Sequence, residues 1–332
     1  MRTIRPTLLT KELLSQAKAD IPTMVWGASG IGKSEIIQQV AEELNATYYD
    51  IRCNLYDPVD VRGGLKVERQ ADGTYKTRYG IPEDWPDANS QETIVLNLEE
   101  LNASPKATMN AFLQLVLDRR IGAYKLPANT VIFACGNQAK DRAAVQAMPD
   151  PLKRRFGHFC LEPNIDDTSA HFVKIGIDPS IIAFLRYRPE ALHDYSTEQQ
   201  ANPSPRAWSY LNKKLPFLAD EYYGCASIVG DGAAGEFIAF RQIYKELPDI
   251  SMIIENPSTS RVPEKQNLLY AVSAALASRA DKNNFKAISK YAKRLPAEFQ
   301  VLLMKDAVGG NSDIADTPEF EQWINDNADV LL

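Results

Sequence analysis

The sequence predicts an α/β fold, with a parallel sheet sandwiched by helices and a helical second half. Three observations carry this. A short apolar run, Thr23-Met24-Val25-Trp26, passes through a glycine-rich loop into Ile36, Ile37, Val40, Ala41 and Leu44 at helical spacing, so a strand meets a helix across a tight turn. Two more apolar runs, beginning at Ile94 and Thr130, have strand length and end in the polar pairs Glu99-Glu100 and Asn137-Gln138. After Glu162 the strand signals fade, and apolar residues recur at helical intervals.

Composition narrows the class. At 332 residues and 45% apolar content the chain suits a soluble protein of two or three domains. No run approaches the ~18 apolar residues of a membrane span, and the opening MRTIRPTLLTKELL is too polar for a secretory leader. A cytoplasmic protein without a membrane partner is expected. Cys53, Cys135, Cys160 and Cys225 form no C-x-x-C pair, and His158, His171 and His193 lack metal-ligand spacing, which argues against structural zinc and a disulfide framework. A net charge of −6 makes nucleic acid an unlikely general partner.

The loop Gly27-Ala28-Ser29-Gly30-Ile31-Gly32-Lys33-Ser34 fits G-x-x-x-x-G-K-[ST] at every position, in the strand-to-helix context the motif requires. Glycines let backbone N–H groups wrap an anion and the helix adds its positive end. Lys33 reaches the β/γ-phosphates, and Ser34 offers a hydroxyl to Mg²⁺. A nucleoside triphosphate with Mg²⁺ is the expected ligand.

The segment Ile94-Val95-Leu96-Asn97-Leu98-Glu99-Glu100 reads as a buried strand ending in two carboxylates that point in different directions. Glu99 is assigned to Mg²⁺ and Glu100 to activation of the attacking water. Glu99 is one methylene longer than the usual Asp, so the metal shell is rearranged or reached through a water; Asn97 interrupts an otherwise apolar strand. Asn137, at the end of the strand from Thr130, is placed to meet the lytic water or the γ-phosphate. In Pro149-Asp150-Pro151-Leu152-Lys153-Arg154-Arg155-Phe156 a short basic helix end runs into a strand. An arginine there can reach a neighbouring subunit's γ-phosphate, although such clusters are more often solvated. Ser204 as cap and Pro205 as first residue account for the next helix start but leave Arg206 unexplained.

Residues 62–80 alternate apolar and charged side chains about Asp72-Gly73, which signals a hairpin. Later helices are expected at Asp167 to Ile175, Ile181 to Tyr187, Pro205 to Leu215 and Gly235 to Leu247. After the turn-rich Asn256 to Pro263 they continue at Asn267 to Ala280, Asn284 to Leu295, Pro296 to Val308 and Thr317 to Leu332.

Together and in this order, these segments resemble the AAA+ ATPases, most closely the MoxR branch, over roughly the first two-thirds of the chain. The resemblance implies that Gly27 to Ser34 is the Walker A loop, Glu99-Glu100 the Walker B pair and Asn137 sensor 1. It makes Arg155 the arginine finger, with Arg154 as its alternate, and Arg206 the sensor 2 arginine. It further implies an AAA+ core over 1–161, with hairpin inserts near 62–80 and 119–127, a helical lid over 162–250 and a helical extension over 251–332. ATP with Mg²⁺, a homo-oligomeric ring, expected to be a hexamer, and a protein client of von Willebrand factor A type complete the expectation. Lys66, Arg69, Tyr75, Lys76 and Arg78 of the first hairpin would grip that client. Two alternatives stand beside it: an ATP-gated scaffold that hydrolyses slowly because Glu99 replaces Asp, and a nucleic-acid-directed motor.

Overall fold

The computed structural model describes residues 2–121, 124–138, 146–196, 199–245, 247 and 249–327. Contacts divide the chain into two units, Met1–Glu162 and Pro163–Leu332.

The first unit begins with β1 (Thr3–Ile4), α1 (Pro6–Lys18), β2 (Thr23–Trp26), α2 (Lys33–Glu43), β3 (Thr47–Arg52) and α3 (Pro58–Arg62). It continues through β4 (Leu65–Arg69), β5 (Tyr75–Tyr79), β6 (Ile94–Glu99), α4 (Lys106–Asp118), β7 (Arg120–Ile121), β8 (Tyr124–Lys125), β9 (Thr130–Gly136), α5 (Asp150–Lys153) and β10 (Gly157–Leu161). Six strands form one sheet in the order β1-β10-β2-β9-β6-β3, and every pair is parallel. β2 therefore lies between β10 and β9, so the glycine loop opens beside the end of β9, with β6 one strand further on.

Strand alternation splits the apolar residues between two faces. Val25, Val95, Val131, Phe133 and Cys135 pack with Leu9 and Leu13 of α1 and with Ile36, Ile37 and Val40 of α2. Met24, Leu96, Leu98, Ile132 and Ala134 pack with Met109, Phe112 and Leu115 of α4. Covering both faces explains why β6 and β9 read as continuous apolar runs, and each fully buried Leu or Phe contributes about 1.5–3 kcal/mol.

The second unit is helical: α6 (Ile165–Lys174), α7 (Pro179–Tyr187), α8 (Pro205–Lys214), α9 (Glu221–Val229), α10 (Asp231–Lys245) and α11 (Ile250–Glu255), then α12 (Gln266–Ser278), α13 (Phe285–Ala292), α14 (Ala297–Gly310) and α15 (Pro318–Asp326). Asn164, Asp178, Ser204, Asp220 and Asp249 each accept a backbone N–H at a helix start, satisfying donors the helix leaves over. One apolar cluster gathers Phe184, Trp208, Phe237 and Phe240, and a second gathers Leu276, Phe285, Phe299, Leu303 and Trp323. α12 serves both, with Ala271 and Ala274 in the first and Leu269, Val272 and Leu276 in the second.

α9 and α11 add to the helices expected from periodicity. In α9, Gly224, which weakens the helical signal, packs against Leu218, whose Cδ2 an added Cβ would approach to 2.3 Å and push aside. The last helix ends at Asp326, and the part of the expected span from 328 to 332 lies outside the described residues. Among the described residues no helix is long and apolar enough to cross a membrane.

Candidate functional site

The glycine loop joins β2 to α2 through Gly32, whose left-handed backbone (φ 94°) suits a residue without Cβ. Gly32 has no side chain to cap α2, so this helix end keeps its positive character for an anion. Gly27 N–H donates to Gly136 O at 3.2 Å, tying the loop to the end of β9. The Lys33 ammonium donates to Gly27 O at 2.8 Å, Ala28 O at 2.7 Å and Asn137 Oδ1 at 3.0 Å. Lys33 and Asn137, both singled out from the sequence, thus meet across two neighbouring strands. Ser34 is half-buried in the first turn of α2.

Glu99 ends β6 and is 9% exposed. It follows Val95 and Asn97 on the sheet face that α2 covers, and it lies beside Cys135, since Leu98 pairs with Ala134. Asn97 Nδ2 donates to Glu99 Oε1 at 2.7 Å and to Tyr48 Oη at 2.9 Å. The charge of Glu99 is felt nearby. Burial first, and then this carboxylate, push the Cys135 and Cys53 thiols up and raise Asp50 above the usual carboxylate range. Glu100 leaves the strand in the left-handed region at φ 52° and is exposed, so the two adjacent carboxylates diverge, as the assignment of separate roles requires.

Asn137 is fixed by a residue that sequence reading missed. Asn102 is 3% exposed; its Nδ2 donates to Asn137 O at 2.7 Å, and its Oδ1 accepts from Asn137 N–H at 3.2 Å. A Cβ at Gly136 would lie 2.5 Å from that Oδ1, so the glycine makes room for the clamp. In the sequence Asn102 is one polar residue in a turn, and only its closeness to residue 137 distinguishes it.

Arg154 and Arg155 are exposed in the turn after α5, and neither makes an ion pair among the described residues. Buried Phe156 anchors the turn. His158 then bridges it to the phosphate strand: its Nδ1 accepts from Trp26 Nε1–H at 2.9 Å, which leaves Nε2–H to donate to Lys153 O at 2.7 Å. Arg206 is exposed in the first turn of α8, in the second unit, following the Ser204 cap.

β4 and β5 pair antiparallel about Asp72-Gly73 into a hairpin whose ten strand residues are all exposed. Leu65, Val67, Arg69, Tyr75 and Tyr79 share one face, and Lys66, Glu68, Lys76 and Arg78 the other. A hollow of about 620 Å³ opens at its base beside Leu55, Tyr56, Asp60, Ile81 and Asp84. No residue of the phosphate loop lines it. In the second expected hairpin β7 pairs with β8, and Gly122 and Ala123 lie outside the described residues.

A glycine loop after the second of six parallel strands, with a lysine, a strand-end amide and a buried carboxylate gathered at the same sheet edge, defines a nucleotide-binding α/β unit of the phosphate-loop class. Residues 22–156 match the family model described as AAA domain (dynein-related subfamily), so the first unit carries an AAA domain. Comparison with curated proteins gives no match. Among solved structures the chain is similar to NtrX from Brucella abortus, at 16% identity and a TM-score of 0.41, covering 95% of this chain and 64% of that one. It is also similar to the Thermotoga maritima RuvB Holliday junction branch migration motor, at 14% identity and a TM-score of 0.38, with 81% of each chain covered. The chain thus spans less than two thirds of the NtrX structure.

Proposed function

We propose that this protein is a MoxR-type AAA+ ATPase that assembles into a ring, as a hexamer, and couples Mg-ATP hydrolysis to remodelling or activation of a partner protein. The observation that carries the reading is the meeting of Lys33 with Asn137 at 3.0 Å, on the edge where open α/β sheets bind ligands. The donor set fits Mg²⁺: a hydroxyl at Ser34 and a nearly buried carboxylate at Glu99 that makes no ion pair among the described residues. Held by these two, Mg²⁺ would neutralise charge on the β- and γ-phosphate oxygens. Lys33 exchanges its loop carbonyls for phosphate oxygens. Glu100 and Asn137 orient the water, and Glu100 takes its proton as the bond from the γ-phosphorus to the bridging oxygen breaks. Arg155 of the next subunit and Arg206 of the lid stabilise the charge spread over the γ-phosphoryl oxygens. Loss of the γ-phosphate removes their contacts and frees the lid to move. The exposed β4–β5 hairpin is the surface proposed to meet a protein client, with a von Willebrand factor A-type protein as first candidate.

The test is steady-state ATP hydrolysis across a protein concentration series, beside Glu100→Gln and Arg155→Ala, with mass photometry on the same samples. Turnover that rises with assembly and is abolished by both substitutions, while nucleotide still binds, is the expected result. A wild type that binds ATP yet turns over no faster than Glu100→Gln when assembled refutes hydrolysis by this chain alone and favours the ATP-gated scaffold.

A further inference from the structure

Asn97 is a costly residue for its place. It sits inside β6 between Leu96 and Leu98, is fully buried, and flanks Phe133 of β9 in register. Burying an amide atom without a partner is destabilising, and Oδ1 has none among the described residues. Both Nδ2 hydrogens are used, one on Tyr48 Oη and one on Glu99 Oε1. A leucine of similar size would suit the strand better, so the amide is accounted for by what it holds rather than by the core.

Strand geometry says what that is. Residues 97 and 99 share a face, with Cα atoms about 6.6 Å apart. Over that span the Glu99 side chain is long enough to lean back and place Oε1 at 2.7 Å from Asn97 Nδ2. An aspartate at 99 carries one fewer C–C bond of about 1.5 Å and falls short of that contact. The extra methylene of Glu99 is therefore taken up along the strand, towards Asn97, instead of pushing the carboxylate outward past the sheet edge. Oε1 is anchored on Asn97, the carboxylate also meets the Cys135 thiol, and the lone pairs these contacts leave over are what the nucleotide's cation would take.

We infer that Asn97 is the positioning residue that makes Glu99 a working metal-side acid, and that Asn97 and Glu99 form a matched pair equivalent to an apolar residue followed by Asp. The inference rests on the reading of Gly27 to Ser34 and Glu99 as a Mg-nucleotide site. It opposes the idea that Glu99 is itself a defect: restoring Asp at 99 alone weakens the site, because one Nδ2 hydrogen of Asn97 then loses its acceptor, only the bond to Tyr48 Oη remains, and the shorter carboxylate is no longer held.

The experiment measures the Kd of a fluorescent ATP analogue in EDTA and in excess Mg²⁺ for wild type, Asn97→Leu, Glu99→Asp and the double variant. The ratio of the two Kd values reports the cation's contribution without requiring turnover. Each single substitution is expected to lower that ratio about tenfold, the low end for loss of a partner that orients a metal ligand, while Kd in EDTA stays within about twofold. The double variant is expected to return to within about threefold of wild type. Tyr48→Phe breaks the other bond of Asn97 and is expected to leave the ratio within about threefold. Should Asn97→Leu fail to fold, Asn97→Ala reads the same bond, and the Glu99→Asp arm stands independently. Single effects that multiply in the double variant, or a Glu99→Asp protein with a higher ratio than wild type, overturn the pairing. A wild type whose binding ignores Mg²⁺ overturns the site reading and the pairing with it. A Mg²⁺-dependent wild type that Asn97→Leu leaves unchanged overturns the pairing alone.

Discussion

Removing the Asn102 side chain tests whether the strand-end amide works only when its backbone is held. Asn102→Ala deletes two bonds, Nδ2 to Asn137 O at 2.7 Å and Asn137 N–H to Oδ1 at 3.2 Å, at a site that is 3% exposed. A typical net bond is worth about 1 kcal/mol, and a buried group left without a partner costs about 1–3 kcal/mol. Asn137 is half-buried, so water can serve part of its backbone. The lower end applies, and the expected loss is about 2 kcal/mol. For a unit of this size that is a fall in Tm of about 4–8 °C. The functional loss is expected to exceed the structural one. Asn137 Oδ1 accepts from Lys33 at 3.0 Å, and a displacement of about 1 Å at a positioning residue costs as much as ~100-fold in rate. The assays are thermal melting by circular dichroism, nucleotide Kd, and kcat for ATP hydrolysis. A kcat lowered about 10–100-fold with Kd within about threefold supports the clamp. A variant that loses the stability but keeps kcat within twofold refutes the link between the clamp and the role proposed for Asn137 in positioning the water. One that melts like wild type refutes the hydrogen-bond argument itself. Asn102→Asp keeps the acceptor but sets a carboxylate oxygen against Asn137 O, and is expected to lose at least as much as Ala.

Two further outcomes follow from groups outside the catalytic assignment. Arg186 and Asp306 join α7 to α14 through two hydrogen bonds, with 8% and 6% of their side chains exposed, and Arg186 Nε has no partner among the described residues. Asp306→Ala strands a buried guanidinium and is expected to cost about 3–5 kcal/mol in urea unfolding, while Arg186→Met with Asp306→Leu recovers most of it; a loss near zero in the single variant refutes the burial argument. Asp50 is raised by burial and then by Glu99, so the folded state holds its proton more tightly than the unfolded chain. Its contribution is therefore greatest at low pH and is lost as pH rises through the folded value. Asp50→Asn is expected to melt above wild type at neutral pH, with the difference shrinking as pH falls towards 4; a variant less stable than wild type at neutral pH contradicts the sign.

Much of the site was legible along the chain because its signals are local. The phosphate loop is a contiguous spacing, the hairpin announces itself at Asp72-Gly73, where the structure has Gly73 at φ 83°, and Ser204 caps α8 as its position before Pro205 suggested. The strands bearing Glu99 and Asn137 were readable because both faces of the sheet are covered, which makes the runs apolar at successive positions. Asn97 shows the limit of the same reasoning. A period-of-two pattern identifies it as out of place, but its partner is found only when strand faces and rotamers are set.

By itself the sequence determined where strands become helices, which loop wraps an anion, and which acidic, amide and basic side chains stand at strand and helix ends. These follow from backbone sterics, capping and apolar periodicity within a few residues. Only the tertiary structure decided that β2 lies beside β9, so that Lys33 meets Asn137 across 104 residues of chain, that Asn102 holds Asn137, that Asn97 holds Glu99, and that α12 feeds two cores at once. The physical reason is that strand order and interhelical packing are settled by which apolar faces can be buried together. That is a property of the whole chain, and no local window contains it.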